Sequence, residues 1–232
     1  MRAPRGAWCL CATAIAGCTA AHRATWPIVC EETFASASSL DRFAFSDAAR
    51  WRWSPAGPCL ELLGDSHYAP PVRSPTSIAL VRDLEVADFD LEVDVLQTGR
   101  DYGHRDLCLF FGFESPTRFY YVHLAQAPDA NAHNVFVVQD APRKNLAPVA
   151  AHGIQWGDHV WHHVRVERRT KPGTIRVFWD RQPEPILQAT STAFVWGRVG
   201  FGSFDDSGLL AGLRLWAPAA RTAATGDPFS TR

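Results

Sequence analysis

Residues 156–180 read WGDHVWHHVRVERRTKPGTIRVFWD, and the recurrence of their apolar positions decides the fold. Val160, His162, Val164 and Val166 alternate with Trp161, His163, Arg165 and Glu167, while Ile175, Val177 and Trp179 alternate with Arg176, Phe178 and Asp180. A period of two sends successive side chains to opposite faces of a strand, so each run predicts a strand with one face in a core. Lys171-Pro172-Gly173 between them supplies the turn of an antiparallel pair. Upstream, Phe89, Leu91, Val93 and Val95 alternate with Asp90, Glu92 and Asp94. Further strands are expected at Leu60 to Leu63, Ile78 to Val81, Leu107 to Glu114, Phe119 to Leu124, Asn134 to Gln139, Arg198 to Phe204 and Leu213 to Trp216. Ser54-Pro55-Ala56-Gly57-Pro58 and Asp206-Ser207-Gly208 read as turns. Only Ser46 to Arg50 and Ala125 to Ala132 have the composition of a helical turn. Strands without helical crossovers close a core as two antiparallel sheets, so the expected fold class is all-β, a two-sheet antiparallel β-sandwich.

The 232 residues carry 23 basic and 24 acidic side chains and are 47% hydrophobic. That composition supports a full core, and a net charge of −1 lacks the basic footprint that nucleic-acid binding needs, so nucleic acid is excluded as a partner. Residues 1–17 have Arg2 and Arg5, an apolar run from Ala7 to Ala16 and no acid, which is the composition of an export signal. Ile15-Ala16-Gly17-Cys18 resembles the bacterial lipoprotein signal, which implies lipid attachment at Cys18 and a membrane contact through that anchor alone. The alternative is an ordinary signal cut near Ala20 or Ala21. Residues 18–28 are then a linker, and residues 218–232, which lose the alternation, an expected disordered tail. Of the cysteines beyond Cys18, Cys108 sits in an apolar run and reads as a buried thiol, leaving Cys30 with Cys59 as the expected disulfide pair.

The block from Trp156 to Asp180, followed by Gly197-Arg198-Val199-Gly200-Phe201-Gly202-Ser203-Phe204-Asp205-Asp206 and a final apolar strand to Trp216, resembles the closing half of laminin-G-like jelly-roll domains of the concanavalin A-like superfamily. The resemblance covers about residues 29–217. It implies a jelly roll exported to the bacterial cell envelope that binds a polysaccharide or other glycan. The same superfold hosts lectins, glycoside hydrolases and polysaccharide lyases, and a non-catalytic protein-interaction scaffold is the third alternative.

Phe119, Tyr121 and His123 share one face of their strand, with Asn134 on the next strand and Arg143 on its exit loop. Tyr121, His123, Asn134 and Arg143 are the expected lining of a glycan groove, with Arg105, in the polar turn Gly103-His104-Arg105-Asp106, at its rim. Resemblance to jelly-roll lyases implies that, in an enzyme, His123 or Tyr121 would move the proton. Glu92-Val93-Asp94-Val95-Leu96-Gln97 resembles the catalytic strand of laminarinase-type hydrolases. Gln97 stands where the acid/base carboxyl is required, so the acids are read as the solvated face of a strand. Asp205, with Asp206 nearby and Glu31 or Glu32 as the early ligand, is the expected place of a structural Ca2+ that the resemblance implies. Gly64-Asp65-Ser66-His67 matches an esterase block that needs a parallel α/β scaffold, and adjacent His162 and His163 point to opposite faces, so neither forms a site.

Overall fold

The computed structural model describes residues 25–54 and 57–230. In chain order its strands are β1 (Ile28–Glu32), β2 (Phe43–Phe45), β3 (Trp51–Ser54), β4 (Cys59–Leu63), β5 (Ser77–Val81), β6 (Glu85–Val86), β7 (Phe89–Gln97), β8 (Asp106–Ser115) and β9 (Arg118–Ala125). They continue with β10 (Asn134–Gln139), β11 (Lys144–Asn145), β12 (Trp161–Arg169), β13 (Thr174–Trp179), β14 (Leu187–Thr190), β15 (Arg198–Ser203), β16 (Ser207–Trp216) and β17 (Ala220–Arg221). One eight-stranded sheet runs β14-β13-β12-β7-β16-β4-β3, with β1 also on β16; a seven-stranded sheet runs β11-β10-β9-β8-β15-β5-β2. The pairings are antiparallel, and the expected two-sheet sandwich is what forms. Among the described residues no helix is long and apolar enough to cross a membrane.

The two sheets present their outer faces differently. In the eight-stranded sheet the alternation holds: Leu91, Val93, Val95, Val164, Val166, Ile175 and Val177 enter the core between the sheets, while Glu92, Asp94 and His163 face outward. His162 is buried and His163 is not, as their adjacency requires. In the seven-stranded sheet β8 and β9 are apolar on both faces. Leu107, Leu109 and Phe111 face the core, whereas Cys108, Phe110, Phe119 and Tyr121 build a second apolar layer outside with Phe136, Tyr68, Val72 and Phe204. A strand buried on both faces reads as a near-continuous apolar run, as LCLFFGF does.

Part of that outer layer is sealed by the segment expected to be a disordered tail. β17 pairs with β6, Arg221 bridges to Glu85 at 2.9 Å and caps the Trp196 ring, and Phe229 packs edge-on against Tyr68 and Phe113. Burying one phenyl contributes about 1.5–3 kcal/mol, enough to hold a short segment whose composition is otherwise that of a loop. The disulfide expectation also fails: Cys30 and Cys59 are both free and buried. Cys30 points into the core beside Arg42, while Cys59 lies on the outward side of β4 beside Leu209 and Ala211, so their Cβ atoms face away from each other. Ala125 ends β9 and residues 126–132 form an irregular bend rather than a helix, and Ser207 and Gly208 open β16. A 3-10 turn does form at Ala48–Arg50, capped by Asp47 on the Ala49 amide. The export signal, Cys18 and the turn residues Pro55 and Ala56 lie outside the described residues.

Candidate functional site

Strand register brings the expected groove residues together and then encloses them. Cys108, His123 and Asn134 are successive cross-strand neighbours on β8, β9 and β10, and so are Phe110, Tyr121 and Phe136. Tyr121 stacks on Phe136 with ring centroids 5.1 Å apart, and Arg143 lies 4.4 Å above the Phe204 ring. The groove reading needed these side chains in water, and that is corrected: Tyr121 is 0% and His123 4% exposed. Asn134 is spent on the backbone, its amide donating to the Ala147 and Pro148 carbonyls and its oxygen accepting from the Val135 and Ala147 amides. Only Arg143 keeps part of its surface in solvent.

Asp106 organises the polar part of this layer. One of its oxygens accepts the Ser203 hydroxyl at 2.7 Å; the other accepts the Cys108 thiol at 3.0 Å and faces His123 Nε2 at 3.4 Å. Complete burial, with Asp206 adding like charge, pushes Asp106 up to about 8, so near neutrality it holds a proton. Burial pushes His123 down to about 3, and the Arg143 charge adds to the effect. His123 Nδ1 accepts the His133 amide at 3.1 Å, which leaves the ring proton on Nε2, aimed at Asp106. Neither nitrogen is free to take a substrate proton, so the acid–base role expected of His123 has no basis in this arrangement. Donor atoms of Asp106, Cys108 and His123 lie within 4.8 Å of one another, but a protonated Nε2 makes a hydrogen bond there rather than a metal bond.

Arg105 leads to the open site. Its Nη2 donates to the Gly157 carbonyl at 2.7 Å and lies 3.5 Å from Asp101, its Nη1 reaches the Gly99 carbonyl at 3.5 Å, and its own carbonyl accepts the Trp156 indole N–H at 3.1 Å. One buried guanidinium thus ties the β7–β8 loop to the loop that precedes β12. Between these loops is a recess of about 480 Å³ lined by Arg100, Asp101, Arg105, Gln126, Gln155 and Asp158. Gln155 also borders a second recess of about 550 Å³, where His133, His152, Trp179, Asp180 and Gln182 meet. Sharing Gln155, the two recesses make a trough at one end of the sandwich, polar in its first part and bordered by Ile154, Trp179 and Ile186 in its second. Its far wall is fixed by His162, whose Nδ1 lies 2.9 Å from Asp180 and whose Nε2 lies 2.9 Å from the Trp156 carbonyl, with the imidazole stacked on Trp179. Arg105 was expected at the rim of the Tyr121–His123 groove; it lies instead in the wall of this separate recess, only 6% exposed, where it supports the wall more than it presents itself. Sequence reading passed over Gln126, Gln155, Asp101 and Asp158. Asp101 lies four residues before Arg105, Gln155 and Asp158 flank Trp156-Gly157, and Gln126, just after β9, had no signal in the sequence.

The other expected clusters resolve as follows. His163 sits between Asp94, at 2.8 Å, and Glu92, at 3.5 Å, and the hydrogen bond to Glu92, with Asp94 adding to it, raises its pKa despite partial burial. Gln97 is buried and donates to the Asp106 carbonyl, so this strand carries no hydrolase dyad. Asp205, Asp206 and Asp106 bring carboxylate oxygens within 4.8 Å, a grouping compatible with a cation once Asp106 gives up its proton. Glu31 and Glu32 are not part of it. Glu31 pairs with Arg214 and Glu32 with Arg42, at the end of β16 remote from Asp205, roughly 30 Å away along the strand.

No family model matches the sequence, and comparison with curated proteins gives no match. Solved structures do match. A carbohydrate-binding module, CBM66, from Bacillus subtilis superposes with a TM-score of 0.56 at 14% identity, covering 76% of this chain and 96% of that one. A Bacillus subtilis protein of unknown function with a galectin-like fold gives 0.58 at 11% identity, over 84% and 97% of the two chains. The GH43 BlXynB protein from Bacillus licheniformis gives 0.57 at 11% identity, over 83% of this chain and 40% of that one. At such identities the likeness shows the fold alone: this chain is a two-sheet antiparallel jelly-roll β-sandwich, the architecture of those structures.

Proposed function

We propose that the protein is a carbohydrate-binding module whose loop-end trough takes neutral glycans. The observation that carries this is the lining of the first recess, where two arginines are matched by two aspartates around the side-chain amides of Gln126 and Gln155. Amides and carboxylates in a concave site hydrogen-bond sugar hydroxyls, and the balanced charge favours an uncharged ligand. One structural neighbour is itself a carbohydrate-binding module, which supports the same ligand class. A glycan array followed by calorimetry tests the proposal. Wild type binds a neutral polysaccharide, and Gln155→Ala or Asp101→Ala weakens it at least tenfold, about 1.4 kcal/mol. Binding unchanged in both variants would move the site elsewhere, and no neutral glycan bound would end the proposal.

Export to the cell envelope, with lipid attachment at Cys18, is part of the same reading and is supported by the composition of residues 1–18. Mass spectrometry of the cell-associated protein tests it: the reading expects a diacylglyceryl mass on a chain beginning at Cys18. Calcium at Asp205 and Asp206 is the specific form of the cation reading. It predicts a melting temperature raised by millimolar Ca2+ and a response lost in Asp205→Asn.

A further inference from the structure

We propose that the outer face of the eight-stranded sheet holds a second binding site, separate from the trough, that takes a small quaternary ammonium compound between the Trp161 ring and the Asp94 carboxylate. Strand register builds the site. Trp161 pairs with Leu96 and Leu96 with Leu209, so one row of side chains crosses β12, β7 and β16. In the next row on the same face His163 pairs with Asp94 and Asp94 with Ala211. The register shifts after Ala211, and Gly212, at φ +58°, leaves the floor beside Asp94 without a side chain. Trp161 on one side and Gly57 and Pro58 of the β3–β4 turn on the other raise the walls of a recess of about 440 Å³. None of its lining residues belongs to the trough.

Two observations name the ligand. The first is Trp161, which is 44% exposed and lines the recess. An indole face attracts cations more strongly than other rings do, and the protein's own arginines use its aromatic faces in this way. Arg165 lies 3.7 Å over Phe178 and Arg221 4.5 Å over Trp196. Among the described residues no such cation stands over Trp161. The second is Asp94, the one charged group of the lining, whose side chain is half exposed. His163 Nδ1 meets its Oδ1 at 2.8 Å, while its Oδ2 turns to Gly212, where a Cβ would stand 3.4 Å away. A cation over Trp161 and beside Asp94 is drawn by both. The rest of the lining decides which cation. A primary ammonium must satisfy three N–H donors, and the only side-chain oxygens here are those of Asp94 and Ser54. A quaternary ammonium has no N–H to satisfy, and its methyl groups match Leu209, Ala211 and Pro58.

Full-length protein is titrated by calorimetry and protein-observed NMR with choline and with 3,3-dimethylbutan-1-ol, which has the same shape and no charge. Choline is expected to bind and to shift the Trp161 indole signal, and the alcohol to bind at least tenfold more weakly. Trp161→Ala should weaken choline at least tenfold and Asp94→Asn at least threefold. Both side chains are about half exposed, so both variants keep the melting temperature of wild type. Gln155→Ala, which acts on the trough, should bind choline as wild type does, and Trp161→Ala should leave glycan binding in the trough unchanged. The two sites can therefore fail independently. No choline bound, equal binding of the uncharged alcohol, wild-type affinity in Trp161→Ala and Asp94→Asn, or a Trp161 signal moved by neutral glycans in place of choline would overturn the proposal.

Discussion

Replacing Asp106 by asparagine should change how stability depends on pH. Burial holds the carboxyl near 8, against about 4 in an unfolded chain, so the folded protein retains a proton that the unfolded chain releases. The stabilisation is complete below pH 4 and is lost as pH rises towards 8. Each pH unit in that window costs about 1.4 kcal/mol, so roughly 3 kcal/mol disappears between pH 5 and pH 7.5. Asparagine has no proton to retain, so that term vanishes in Asp106→Asn. Asparagine keeps one acceptor oxygen and puts an NH2 where the other was, so one of the Cys108 and Ser203 bonds is lost, a penalty that does not vary with pH. His123, held down to about 3, lowers stability only as pH falls below about 6.5, and it does so in both proteins. Urea unfolding at half-unit steps from pH 5 to 7.5 should therefore show Asp106→Asn least stable relative to wild type at pH 5 and catching up by about 3 kcal/mol at pH 7.5. Parallel curves would refute the reasoning, because they would mean that Asp106 is ionised throughout.

Other substitutions test the covering of the outer face and the packing beneath it. Phe229→Ala removes the ring that anchors the C-terminal segment and should cost about 2 kcal/mol, with amides of residues 222–230 exchanging freely in hydrogen-exchange experiments while the β8–β9 amides stay protected. Gly202→Ala places a Cβ 1.8 Å from the Ser77 carbonyl oxygen, inside the β5–β15 pair, and should leave little soluble folded protein.

The eight-stranded sheet was legible because one of its faces meets water. Alternation in β7, β12 and β13 states which side chains face the core, and Val164 and Val177 go where that pattern sends them. The same rule misleads on β9. It places Tyr121 and His123 together on one face, correctly, but a two-residue period cannot say whether that face meets water. The cover comes from distant chain, from Tyr68 and Val72 before β5 and Phe229 after β17, and only tertiary structure brings these to β8 and β9. Composition read residues 218–232 as disordered, although a single phenylalanine can anchor such a segment. The trough was not legible as a site: Arg105 stood out by its charge in a turn but was assigned to the Tyr121–His123 groove, and Gln126 and Gln155 stand in loops that carry no periodic signal.

The central claim is that the loop-end trough binds neutral carbohydrate. Calorimetric titration of wild type and Gln155→Ala with the best neutral glycan from an array tests it most directly. The account predicts saturable binding by wild type, at least tenfold weaker in the variant, with identical melting curves for the two proteins. Equal affinity in wild type and Gln155→Ala, or heat only from charged polysaccharides, would contradict it.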